Sequence, residues 1–144
     1  MNSPAAASRE SLILVYDADC GFCRWSVATL LDRDELGALE PMTISEADSS
    51  GLLDSIDPAD RARSAHVVLP DGQVLSGGSA VPALAARLPG AAPIRALARV
   101  APRLVDVTYR AIAANRMRIS RLVPAGAKRR ADLRLAERRR LSTT

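Results

Sequence analysis

Leu12-Ile13-Leu14-Val15-Tyr16-Asp17-Ala18-Asp19-Cys20-Gly21-Phe22-Cys23 is a five-residue apolar run that ends in an acidic turn and a Cys pair. A continuous apolar run of this length, stopped by turn residues, reads as a buried strand. From Cys23 onward the positions Cys23, Val27, Leu30 and Leu31 recur at i, i+4, i+7 and i+8. That spacing draws one face of an amphipathic helix, which ends near Asp32-Arg33-Asp34. The stretch therefore reads as strand, tight turn, helix. It places Cys20 at the mouth of the helix and Cys23 on its core-facing side.

Downstream, Leu39 to Ile44 reads as a second strand that Pro41 confines to an edge or to the strand's beginning. Ser45 to Arg63 is polar and acidic and predicts one or two short helices, with a helix start at Asp57-Pro58. His66–Leu69 and Gln73–Leu75 flank Pro70-Asp71-Gly72, a hairpin signal. Gly77-Gly78-Ser79 breaks the chain, and Ala80–Leu88 reads as a helix closed by Pro89-Gly90. The order β, α, β, α, β, β, α predicts an α/β sheet with a mixed edge. Two further helices follow, over Pro93–Val100 and Arg103–Val123. The segment Pro124–Thr144 carries seven cations against Asp132 and Glu137 with scattered leucines, and it reads as a frayed helix or a disordered tail. The expected organisation is a core over 11–90, a helical C-terminal extension over 91–123 and a basic tail over 124–144.

The chain has 144 residues, about one domain's worth, and its 48% hydrophobic and 25% charged residues fit a globular protein. Aromatic residues make up only 3%, too few for a base-stacking platform, so nucleic acid is disfavoured as a partner. The net charge of +4 conceals an asymmetry: residues 1–72 carry −8 and residues 73–144 carry +12. The basic half is where an acidic partner or a membrane surface would bind. Nineteen of the twenty cations are arginine, which with the abundant alanine reflects coding composition more than arginine chemistry. Residues 1–11 lack the apolar stretch of a secretory signal, and no window of about 18 apolar residues is free of charge, so a cytoplasmic protein is expected. In that compartment a Cys pair points to catalysis, redox sensing or metal binding before a permanent cross-link.

Cys20-Gly21-Phe22-Cys23 carries the chemistry. A sulfur at a helix N-terminus lies near unpaired N–H groups and the positive end of the helix dipole, which favours the thiolate over a thiol of pKa about 8.5. Cys23, one turn on, is close enough to close a disulfide. Cys20 would attack a substrate disulfide, and Cys23 would resolve the mixed disulfide and release the reduced product. The cycle calls for no metal and no organic cofactor. Zinc is the rival reading, but two Cys and one His fall short of four ligands, and a cluster of iron and sulfur would need a second chain. His66 reads as an ordinary sheet residue. Asp17 and Asp19 have two readings: either caps the helix, or Asp17 accepts the proton of Cys23 during resolution.

Asp17-Ala18-Asp19-Cys20-Gly21-Phe22-Cys23 resembles the Asp-x-x-Cys-x-x-Cys signature of the DCC family of thiol-disulfide oxidoreductases. The Pro70-Asp71-Gly72 turn, Gly78-Ser79-Ala80, Tyr109-Arg110 and Asn115-Arg116 are similar to further landmarks of that family, over about residues 12–123. The resemblance implies a thioredoxin-like mixed sheet flanked by helices, with Cys20 and Cys23 as the redox pair. It also implies a disulfide-containing protein or a low-molecular-weight thiol as substrate, with an electron donor outside the chain. Ser64 falls where thioredoxin-like proteins carry a cis-proline facing the Cys pair, and Ser79 falls where an acidic residue is expected. Ser64, Phe22 and Trp25 are candidate substrate-contacting residues, Trp25 being equally at home in the core. Ser79 reads as a helix N-cap, and Tyr109, Arg110, Asn115 and Arg116 read as packing and capping residues of the C-terminal helices. A second reading, from another class, is a noncatalytic binding module whose basic C-terminal helices dock on an acidic partner or membrane surface.

Overall fold

The structure is a computed structural model that describes residues 11–143. Strand β1 (Leu12–Tyr16), helix α1 (Gly21–Arg33) and strand β2 (Leu39–Thr43) form a β-α-β unit. β2 runs parallel to β1, pairing Leu12 with Leu39 and Tyr16 with Thr43. β3 (His66–Val68) returns antiparallel on the other side of β1, with Val67 opposite Leu14, and β4 (Val74–Ser76) closes the hairpin. The sheet order is β2-β1-β3-β4. A parallel β-α-β half joined to an antiparallel β-β-α half is a thioredoxin-like α/β arrangement.

The apolar run of β1 follows from burial on both faces. Leu12, Leu14 and Tyr16 pack with Val27, Ala28 and Leu31 of α1, whereas Val15 packs with Ala47, Leu53 and Val68. Ala47 belongs to α2 (Ile44–Ser49), which opens with a capping box between Thr43 and Glu46. Pro41 is tolerated because β2 is an edge strand. His66 is buried and satisfied: Nδ1 meets Ser76 Oγ at 2.7 Å, and Nε2 meets the Arg61 carbonyl at 2.8 Å. Asp57-Pro58 starts hydrogen-bonded turns and no helix, since Asp57 Oδ1 takes the Ala59 N–H and its carbonyl takes the Asp60 N–H.

After β4, Gly77–Ala80 forms a 3-10 turn, followed by α3 (Val81–Ala85), α4 (Ala92–Val100) and α5 (Pro102–Ala114). Ser79 does not cap α3. Its hydroxyl bonds back to Ser76, donating to the carbonyl at 2.6 Å and accepting from the N–H at 3.2 Å. The single helix expected over Arg103–Val123 is two, because Asn115 leaves helical geometry and its side-chain amide donates to the Ala111 carbonyl. α6 (Arg116–Leu122) then turns Arg116 toward α1.

The segment expected to be a frayed helix or disordered is a packed helix, α7 (Ala125–Thr143), which lies along α1 and β2. Ala131 and Leu135 enter the main core beside Leu31. Part of the charge that argues against folding is met by partners distant in sequence. Arg24 pairs with Asp132 and Arg134 with Asp32, each at 2.8 Å, and Arg139 pairs with Glu46. Arg138 reaches the wholly buried carboxylate of Asp34 at 2.8 Å and the Leu39 carbonyl at 3.1 Å. Asp34 also accepts the N–H groups of Ala38 and Leu39, which ties the α1–β2 turn to α7. No described helix is long and apolar enough to cross a membrane.

Candidate active site

Cys20 is itself the N-cap of α1. Its Sγ accepts the Cys23 N–H at 3.3 Å, the bond an Asp or Ser side chain usually supplies. Neither Asp17 nor Asp19 caps the helix. Asp17 Oδ1 instead takes the Asp19 N–H at 2.9 Å and holds the turn that delivers Cys20 to the helix mouth. Gly21 admits close neighbours: a Cβ there would lie 2.9 Å from both Lys128 Cε and Ser120 Oγ. α6 and α7 therefore close over the first turn of α1, and Cys20 is only 1% exposed.

Cys23 is half-buried and faces a cavity of about 280 Å³ between α1, the end of β1 and α5. The expected order of exposure is thus reversed: Cys20 is the buried sulfur and Cys23 the half-buried one. Both sulfurs are free thiols. Burial pushes the Cys23 thiol up from 9.0 to about 12, helped by its hydrogen bond to Cys20 and by the charge of Cys20. Arg116 pulls it down and Asp17 pushes it up, both more weakly.

Phe22 and Ser64 line this cavity, as does Asp17. Trp25 does not: it stacks on Phe22 with ring centroids 6.0 Å apart and faces a shallow depression against α7. Tyr109 and Arg116, read from sequence as packing residues, are part of the site. The Tyr109 hydroxyl accepts the Ala65 N–H at 2.8 Å, beside Ser64, and Arg116 pairs with Asp17 at 3.3 Å. Burial raises the Tyr109 pKa, so the phenol stays neutral and keeps a proton to donate. Gly77 and Gly78 allow this approach of α5, since a Cβ on Gly78 would lie 2.8 Å from Asp106 Cα. Arg110 pairs with Asp106 on the outer side. The pairing of Tyr109-Arg110 and Asn115-Arg116 with the hairpin landmarks was the one sequence signal pointing to these residues. Among the described residues no three His, Cys, Asp or Glu side chains gather where a metal ion would sit.

A C-x-x-C at the opening of the helix that follows the first strand of such a sheet defines a thioredoxin-like dithiol protein. The chain belongs to the DCC1-like thiol-disulfide oxidoreductase family, whose model matches residues 14–122. Helix α7 lies beyond the matched residues. No curated protein and no solved structure matches the chain.

Proposed function

We propose that the protein exchanges a Cys20–Cys23 disulfide for the dithiol with a thiol or disulfide substrate. The observation that carries this reading is the asymmetry of the pair. Cys20 Sγ receives the Cys23 N–H at the helix mouth, whereas Cys23 keeps its proton far above neutral pH. Cys20 is then the attacking sulfur. Its attack on a substrate disulfide gives a mixed disulfide and one substrate thiolate. Cys23 resolves that bond, its proton leaving as its sulfur attacks Cys20, and the second substrate thiol departs. Phe22 and Ser64 contact the substrate. The test is stoichiometric: one equivalent of a small disulfide should convert the dithiol to the internal disulfide, and thiols that persist unchanged would end this reading.

Asp17 is the proton acceptor for Cys23 in this scheme. It lines the same cavity, and its ion pair with Arg116 fixes the carboxylate there. Asp17→Asn should slow resolution by about a hundredfold near neutral pH, the usual scale for a general base. Attack by Cys20 should be unaffected. Rapid-quench mass spectrometry separates the two steps, and equal resolution rates would leave Asp17 only its turn-forming role.

A further inference from the structure

We infer that the substrate is a small disulfide or thiol with an apolar body and a carboxylate, bound between α1 and α5, and not a folded protein. This rests on the exchange reading above. Cys20 lies beneath α6 and α7, and Cys23 stands half-buried at the wall of a partly open cavity, so a substrate reaches the pair through that cavity. The cavity, about 280 Å³, is on the scale of a site for a small organic molecule. Around Cys23 its wall is apolar, formed by Leu14, Val27, Leu30, Leu84 and Ile112.

Its rim has the opposite character. Arg63, Ser64, Tyr109 and Arg116 belong both to the cavity and to an adjoining open hollow of about 610 Å³, where Arg110 joins them. Three guanidiniums thus border the two spaces, each with one acidic partner: Arg63 with Asp60, Arg110 with Asp106 and Arg116 with Asp17. Arg116 is held by Asp17, but Arg63 and Arg110 are more than three-quarters exposed and bound only to neighbours on their own segments. Such surface pairs are weak and exchange readily for another carboxylate. A ligand whose disulfide reaches the Cys23 wall comes up to Cys20, whose Sγ lies 3.3 Å from the Cys23 nitrogen just behind that wall, and directs its other end to these cations. In the reducing direction the substrate S–S bond breaks and the Cys20–Cys23 bond forms. Two electrons pass to the substrate, and the two protein thiol protons leave on its two thiols.

The test compares four oxidants of the reduced full-length protein: 3,3′-dithiodipropionate, bis(2-hydroxyethyl) disulfide, cystamine and insulin. Each rate is divided by that of the same oxidant with free mercaptoethanol, which removes intrinsic reactivity. The normalised rate should be about tenfold or more higher for dithiodipropionate than for cystamine, with the neutral disulfide between them and insulin slowest. Arg63→Gln combined with Arg110→Gln, both at exposed positions, should bring the dithiodipropionate-to-cystamine ratio toward one. Cystamine matching dithiodipropionate, or insulin matching the small disulfides, would overturn the inference and leave the exchange reading standing. If no oxidant reacts faster than with mercaptoethanol, the exchange reading itself fails and this inference with it.

Discussion

Removing residues 124–144 should abolish the cooperative unfolding transition of the protein. Leu135 and Ala131 fill the core groove beside Leu31, and truncating one buried leucine to alanine alone costs about 2–5 kcal/mol. The same deletion takes Arg138 from Asp34, whose carboxylate is wholly buried, and stripping one partner from a buried pair costs about 3–5 kcal/mol. Together these rival the whole stability of an ordinary domain, about 5–15 kcal/mol. Leu135→Ala and Arg138→Ala separately should each lower the urea midpoint while keeping a single transition. A truncated chain that melts within about two degrees of the full chain would show that α7 contributes nothing to the fold.

The second large effect falls on the Cys pair. Cys20→Ser should reduce exchange by about a hundredfold or more, because the remaining thiol is the one that resists ionisation. With a pKa of about 12, only about one Cys23 in 10⁵ is a thiolate at pH 7. Loss of Cys20 removes its hydrogen bond and charge from that count but leaves burial, the largest cause, in place. Cys23→Ser should behave differently: attack continues, and a mixed disulfide at Cys20 accumulates because nothing resolves it. Intact-protein mass spectrometry distinguishes the two variants. A mixed disulfide that forms equally on either variant would remove the distinction between the sulfurs.

The elements that were legible in the sequence are those set by local patterns. The apolar run of β1, the 3.6-residue spacing from Cys23 and the Pro70-Asp71-Gly72 turn each carry their own instruction, and the strand–helix–strand order follows from them. α7 was illegible for a tertiary reason. Its buried contribution is little more than Ala131 and Leu135, and the acids that make its arginines tolerable, Asp32, Asp34 and Glu46, lie about a hundred residues earlier. The site divides the same way. Cys20, Cys23, Phe22 and Asp17 are neighbours in sequence and were found together, whereas Tyr109 and Arg116 arrive through the close approach of α5 to Gly77 and Gly78. The covering of the first turn of α1 at Gly21 comes from Ser120 and Lys128, which no reading of the Cys motif contains.

The central claim is that Cys20 and Cys23 form one two-electron couple. Equilibrating the full chain against graded mixtures of reduced and oxidised dithiothreitol, followed by acid quench, alkylation and mass measurement, tests it most directly. The account predicts that both thiols disappear together in one reversible transition, with only the dithiol and the internal disulfide populated. Two thiols that stay free across the whole series, or that are modified one at a time, would contradict it.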